Sequence, residues 1–334
     1  MGRKLRRAIH SVLDQYSDNH GTFMPVRLGD ILIEQGLVSR NQMITVLGRM
    51  KREPHSMLGQ IQVEMGFMSR RKLTQANGLE GIVMRLLAEV NTAENKIWTA
   101  EDPIEITHSG LRQIQMLPRA GLTFAVAMRA FLRADPDIIM VGEMRDKETS
   151  HIAIKASLTG HLVLSTLHTN SAPESVVRLL DMGLNPFSFS DALVGVLGQR
   201  LARRLCMHCK SPVADVPADL AAMADEYCMG TDLQATKVLA EWQQRYGRPD
   251  GGPPVLHTAK GCDKCNHTGH KGRVGLYELM RATPAIKTLV QSRAPVEQLL
   301  RCAAQEGMLT LMQYGIIKML EGKTDSVSVR SACT

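Results

Sequence analysis

The chain has 334 residues, 44% hydrophobic and 22% charged, with a net charge of +7. These values fit a soluble globular protein of two or three domains. The net positive charge allows a nucleic-acid binder, but the Lys and Arg residues are dispersed without interleaved aromatics, which form only 4% of the chain, so no nucleic-acid partner is expected. No run reaches the roughly 18 apolar residues of a membrane-crossing helix.

The one dense basic cluster is GRKLRR, residues 2–7. It reads as a solvated or membrane-surface-attracted lead over 1–26, and no apolar run follows to make it a signal peptide. A cytoplasmic protein is therefore expected. Residues 27–47 (RLGDILIEQGLVSRNQMITVL) and 57–77 (MLGQIQVEMGFMSRRKLTQAN) repeat at a spacing of 30, with 7 of 21 positions identical. Leu28/Leu58, Gly29/Gly59, Gly36/Gly66 and Ser39/Ser69 are among them. Each unit predicts a short helix stopped by Gly, then a second helix capped by Ser. Ser39 and Gln42 fit a capping box, which Lys72 breaks in the second unit. An all-helical docking or packing module over 27–80 follows. Its RLGxxLxxxGLxS pattern resembles the MshEN-type domains at the front of secretion and pilus ATPases, some of which bind cyclic di-GMP. The resemblance implies Arg27, Leu28 and Gly29 as contacts to that ligand. Met57 stands where the second unit would supply its own Arg.

KIWTA, residues 96–100, predicts a strand that delivers Glu101 and Asp102 before Pro103 stops it. DPDIIMVGEMRD, 135–146, carries a continuous aliphatic run at 138–141, the mark of a parallel strand covered on both faces. It ends at Gly142 and Glu143. An amphipathic helix over 147–160 leads to TGHLVLSTLHTN, 159–170, read as another buried strand with His161 at its start and His168 at its exit. The order predicts βαβ units and a parallel sheet. A lone His at a strand end is ordinarily structural, and a lone Glu ordinarily lies at the surface. Glu101, Glu143 and His168 at one carboxyl edge fall instead where α/β sheets bind ligands. Two carboxylates and an imidazole suit metal-assisted phosphoryl chemistry. One Glu would orient water, one would hold the magnesium shell, and the His would sense or polarise the γ-phosphate.

Seven cysteines without an export signal point to metal rather than disulfides. Cys206, Cys209, Cys262 and Cys265 form two C-x-x-C pairs with 52 residues between them. Lengthening a ribbon loop from about 17 to 52 residues costs only ~1 kcal/mol of closure entropy, against roughly 10–16 kcal/mol for structural zinc. Four thiolates imply a closed, tetrahedral, structural Zn2+. Cys228, Cys302 and Cys333 read as incidental, and His208 and His267 as outer or surface residues.

Residues 214–246 read as helical, 247–254 as a loop, and 272–280 as a strand. Helices follow from Pro284 and over 295–320, with the last ten residues frayed. The EGKT at 321–324 imitates part of a phosphate loop, but Ile317 stands where a Gly is required, so Gly322 reads as a helix C-cap.

TAEDPIE, LTFAVAMRAFLRADPDIIMVGEMRD and TGHLVLSTLHTN resemble the Asp box, Walker B segment and His box of the type II secretion and type IV pilus assembly ATPases, the GspE/PilB group. The resemblance runs from about residue 86 to 323. It implies Glu101 as the catalytic glutamate, Glu143 as the Walker B acid, His168 as the nucleotide-sensing histidine, and ATP with Mg2+ as cofactors. It also implies a hexamer docked at an inner-membrane platform protein. The tetracysteine set is a feature of assembly-type motors rather than of their retraction relatives.

The family's G-x-x-x-x-G-K-[ST] loop does not occur in this chain. Residues 77–90, NGLEGIVMRLLAEV, resemble the tail of the helix that follows such a loop, so the helical repeat runs into mid-helix as an internal deletion would leave it. The domain that carries the family's arginine fingers is absent with it. Hydrogen bonds to charged groups are worth ~1.5–3 kcal/mol each, so losing the loop removes on the order of 5–10 kcal/mol, and micromolar affinity amounts to only about 8 kcal/mol. The expected architecture is α/β: the helical module, an incomplete RecA-like ATPase core over 81–204, a zinc-binding segment over 205–271 and a helical C-terminal cap over 272–334. Three functions follow. The chain is an ATPase by descent that binds ATP poorly, a non-catalytic regulatory or assembly subunit that docks on intact homologues, or a decayed reading frame.

Overall fold

The computed structural model describes residues 39, 41–42, 79–104, 107–213 and 216–333. The helical repeat expected over 27–80, with Arg27, Leu28 and Gly29, lies outside them apart from the Ser39–Gln42 pair. There the Ser39 N–H donates to Gln42 Oε1 at 2.8 Å and the Gln42 N–H to Ser39 Oγ at 3.2 Å, both bonds of the capping box.

The described residues divide into two compact units. The first runs to Thr169 and takes in Ser175–Val194 and Ala282–Arg293; the second holds Asn170–Glu174, Gly195–Arg281 and the chain from Ala294.

The first unit is layered. Helix α1 (Leu79–Val90) leads into β1 (Ile97–Glu101), β2 (Arg112–Gln115), α2 (Phe124–Phe131), β3 (Ile138–Val141), α3 (Lys147–Leu158), β4 (Leu162–Ser165), α4 (Ala172–Asp181) and α5 (Pro186–Ala192). The strands form a parallel sheet of order β2-β1-β3-β4. Strand side chains alternate between faces, and the two faces carry separate cores. Ile97, Ile138 and Met140 pack against Val83, Met84, Leu87 and Val90 of α1. Ala100, Ile139 and Val141 pack against Ala127, Met128 and Phe131 of α2 and Ala153 and Ala156 of α3. The small alanines let both helices lie close to the sheet. Thr123 caps α2 and Asp146 caps α3, each accepting a backbone N–H three residues on.

Two details depart from expectation. Strand β2 has no counterpart among the predicted elements. Strand β4 is half-buried throughout rather than buried, because it is an edge of this sheet.

The second unit is built on a long antiparallel ribbon, β5 (Gly195–Leu205) against β8 (His270–Arg281), with an irregularity between Arg203 and Leu205. Between them the chain makes β6 (Ser211–Pro212), α6 (Val216–Cys228), α7 (Ala235–Tyr246) and β7 (His257–Thr258). The stretch expected to be helical over 214–246 is thus two helices, parted by a turn with Gly230 at φ +73°. After β8 the chain returns to the first unit for α8 (Pro284–Gln291), then adds α9 (Val296–Gln305), α10 (Leu311–Leu320) and α11 (Ser326–Cys333). Leu220, Met223, Val238, Trp242, Leu276, Tyr314, Ile316, Met319 and Val329 share one core.

Helix α10 ends in a left-handed Gly322 at φ +65°. The Gly322 N–H donates to Met319 O at 2.8 Å and the Lys323 N–H to Lys318 O at 3.0 Å, the paired bonds of a Schellman motif. The EGKT stretch is therefore a helix stop, as read. The frayed terminus is corrected: Ser326–Cys333 is helical, Val329 is buried, and Asp325 caps the helix by accepting the Ser328 N–H at 2.8 Å.

Candidate functional sites

The carboxyl edge of the sheet gathers the sequence-predicted acids. Glu101 ends β1, and the register that pairs Ala100 with Val141 sets Gly142 and Glu143 just beyond the end of neighbouring β3. A Cβ on Gly142 would lie 3.1 Å from Ala100 O and 3.4 Å from Glu101 Cα, so a glycine lets the two strand ends run close. The Gly142 N–H donates to Ala100 O at 2.7 Å.

Glu101 is only 8% exposed. Its Oε1 accepts from Thr99 Oγ1 at 2.6 Å and from Gln113 Nε2 at 2.9 Å. Oε2 carries no bond from the described residues. Gln113 is oriented in turn, because its Oε1 accepts the His108 N–H at 2.7 Å. One carboxylate oxygen is thereby pinned. Thr99 could have been found from sequence, since residues two apart in a strand share a face. Gln113 could not, because it comes from the unpredicted β2.

His168, beyond β4, places Nε2 3.4 Å from Glu143 Oε1, while Arg145 Nε lies 2.5 Å from Glu143 Oε2. Glu143 and His168 are therefore brought together, and Arg145 is a partner that the sequence did not single out. The Thr166 hydroxyl donates to Gly142 O and the Met144 N–H to Thr166 O, which ties the loop after β4 to the end of β3. His161 turns away from this edge: its Nδ1 lies 2.9 Å from Ala156 O, at the end of α3.

The four predicted cysteines form the second site. All their sulfurs lie within 4.8 Å of one another, with Cys206–Cys262 at 3.9 Å and both Cys209–Cys265 and Cys262–Cys265 at 3.8 Å. Four sulfurs about 2.3 Å from a central ion sit about 3.8 Å apart in a tetrahedron, so the donor set fits zinc. Disulfide bonding at about 2 Å does not fit.

The local fold arms the sulfurs. The N–H groups of Cys262 and Gly269 each reach Cys265 Sγ at 3.2 Å. Burial opposes the Cys265 thiolate, but these N–H groups and the neighbouring thiols outweigh it and bring the thiol down to about 6. Burial pushes Cys209 up to about 12. The turn is tight enough to require glycine twice. A Cβ on Gly261 (φ +102°) would meet His267 O at 2.6 Å, and one on Gly269 (φ +70°) would meet Ala259 Cβ at 2.5 Å. His267 pairs with exposed Asp263 at 3.0 Å and stands outside the sulfur cluster. Burial raises the thiols of Cys228, Cys302 and Cys333, the last to about 11, which suits packing rather than chemistry.

Among known proteins, the family model described as Type II/IV secretion system protein matches residues 82–331. The type IV pilus assembly ATPase PilB of Myxococcus xanthus is 44% identical over 238 residues, 71% of this chain and 38% of that protein. The type II secretion system ATPase E of Vibrio cholerae is 42% identical over 238 residues, 71% of this chain and 42% of that protein. The chain thus spans less than half the length of these relatives. A crystal structure of the pilus retraction motor PilT with bound ADP aligns over 75% of this chain and 56% of that one, at 25% identity and a TM-score of 0.48.

Proposed function

The chain belongs to the Type II/IV secretion system protein family, and from that premise we propose that it is a secretion or pilus assembly ATPase by descent, with the hydrolytic edge retained and the nucleotide grip lost. The observation that carries this is the convergence of Glu143 and His168 at 3.4 Å on the same strand edge as Glu101. Glu101 orients the attacking water through Oε2, held in aim by Thr99 and Gln113. Glu143 is the residue that would hold Mg2+ through its water shell, and His168 the one that would meet the γ-phosphate of ATP. Bound magnesium supplies neutralisation of phosphate charge. The four thiols would hold a structural zinc that closes the end of the β5–β8 ribbon.

The grip is lost because no G-x-x-x-x-G-K-[ST] occurs, and acids alone repel an unneutralised triphosphate. Calorimetry of the purified chain with ATP and magnesium tests this. Affinity no tighter than ~1 mM, about 4 kcal/mol, is expected. Nucleotide turnover that disappears in Glu143→Gln would overturn it.

The missing loop favours a second reading: a non-catalytic subunit on the cytoplasmic face of the inner membrane. Its partners would be full-length homologues in a shared oligomer and the membrane platform protein, with cyclic di-GMP bound at Arg27, Leu28 and Gly29. Co-purification with a full-length homologue at fixed stoichiometry supports it, and separate elution rejects it.

A further inference from the structure

Three strand ends meet at the sheet edge, and one hydrogen-bonded line runs across them. The Thr166 hydroxyl donates to Gly142 O, and the Gly142 N–H donates to Ala100 O at 2.7 Å. Each candidate residue follows a member of that line closely. Glu101 comes one position after Ala100, Glu143 one after Gly142 and His168 two after Thr166. All six residues belong to the first unit. Thr166 makes a second bond at the same place, since its carbonyl accepts the Met144 N–H at 3.2 Å. Glu143 therefore lies between two residues that are both bonded to Thr166. The main-chain bond is open to any residue at 166, but the bond to Gly142 O needs a hydroxyl. The regular pairing of β3 with β4 ends one position earlier, at Val141 and Ser165, so this side chain carries the join past the end of the ladder.

Thr166 is only 9% exposed, whereas the His168 side chain is 81% exposed. Packing does little to hold an imidazole that lies in solvent, so the backbone leading to it decides where Nε2 falls. Two residues span at most about 7 Å. The approach of His168 Nε2 to Glu143 Oε1 at 3.4 Å thus depends on where Thr166 is fixed. We infer that Thr166 is a positioning residue: its hydroxyl locks the exit of β4 to the exit of β3 and thereby sets His168 against Glu143. What that pair does to a nucleotide rests on the proposed function above; the lock does not.

The test uses the full chain without nucleotide, so failure of the lock and failure of ATP binding are read separately. Thr166→Val keeps the shape of the side chain and removes the donor. One net hydrogen bond is worth about fivefold in an opening equilibrium. Amide exchange over 142–144 and 166–168 is therefore expected to speed up about fivefold, with 97–99 and 138–140 unchanged. Thr166→Ser keeps the donor and is expected to restore wild-type exchange. The imidazole resonances of His168 give a readout that mere loosening would not supply. Adding Glu143→Gln is expected to shift them equally in the wild type and Thr166→Ser, and by less than about a third as much in Thr166→Val. Should Thr166→Val not fold, Thr166→Ala removes the same donor and is expected to behave alike. An equal shift with and without the hydroxyl, failure of Thr166→Ser to restore exchange, or equal loosening of 138–140 would overturn the assignment.

Discussion

His270 and Asp325 stand 55 positions apart, yet His270 Nε2 and Asp325 Oδ2 meet at 2.8 Å. The pair fastens the first residue of β8 to the cap of α11. Burial pushes the Asp325 carboxyl up, but bonds from Ser328 and His270 outweigh it and hold it below 3.8. A carboxyl depressed in the fold adds stability that is complete above its unfolded value and lost as pH falls through its folded value. Docking of α11 is therefore expected to be firm at neutral pH and to loosen below about pH 4. Asp325→Ala should cost about 0.5–2 kcal/mol at pH 7 and less at pH 3. Urea denaturation at the two pH values checks both outcomes.

Removal of the ion from the thiol cluster is expected to exceed any single side-chain change in its effect. Structural zinc is worth roughly 10–16 kcal/mol in isolated fingers. Elemental analysis should find one zinc per chain, absent in Cys262→Ser. Chelation should expose four reactive thiols and lower the unfolding midpoint of the wild type but not of that variant.

Gly269→Ala is expected to destabilise the knuckle by about 1–3 kcal/mol from the clash with Ala259, and by a further 1–2 kcal/mol or so from its left-handed backbone. Adding Ala259→Gly should recover only part of the first, since the backbone of residue 259 stays 3.0–3.1 Å away, and leave the second. Thermal unfolding of the wild type and the two variants separates them.

Thr99→Val and Gln113→Leu each strip one donor from the buried oxygen of Glu101. Each is expected to cost about 1–3 kcal/mol. The double variant should fall short of the sum, because both donors serve one atom. Chemical denaturation of the four members of the cycle measures this.

Legibility in the sequence followed burial. The run at 138–141 announced β3 because both its faces are covered, and the chemistry at the strand ends came with it. Arg112–Gln115 and Gly195–Leu205 did not announce themselves. The first is a short polar edge, and the second mixes Arg and Gln into a half-buried ribbon, so neither shows the alternation of a one-sided strand. The C-x-x-C pairs were readable from spacing alone, since thiolate geometry demands little else. Gln113 and the His270–Asp325 pair were not readable. Each acts on a residue far along the chain, and no local pattern records such a partner.

The thiol cluster sits where Leu205 pairs with His270, at one end of the ribbon, while Gly195 and Arg281 close the other. An ion at that site would rivet the two strands together. Pulled from the riveted end they cannot be peeled apart one rung at a time. They yield there only if many rungs slip in concert, which takes far more force. A machine part that bears load would gain most from a fastening at that end, with the free end left as the only place where unzipping can begin.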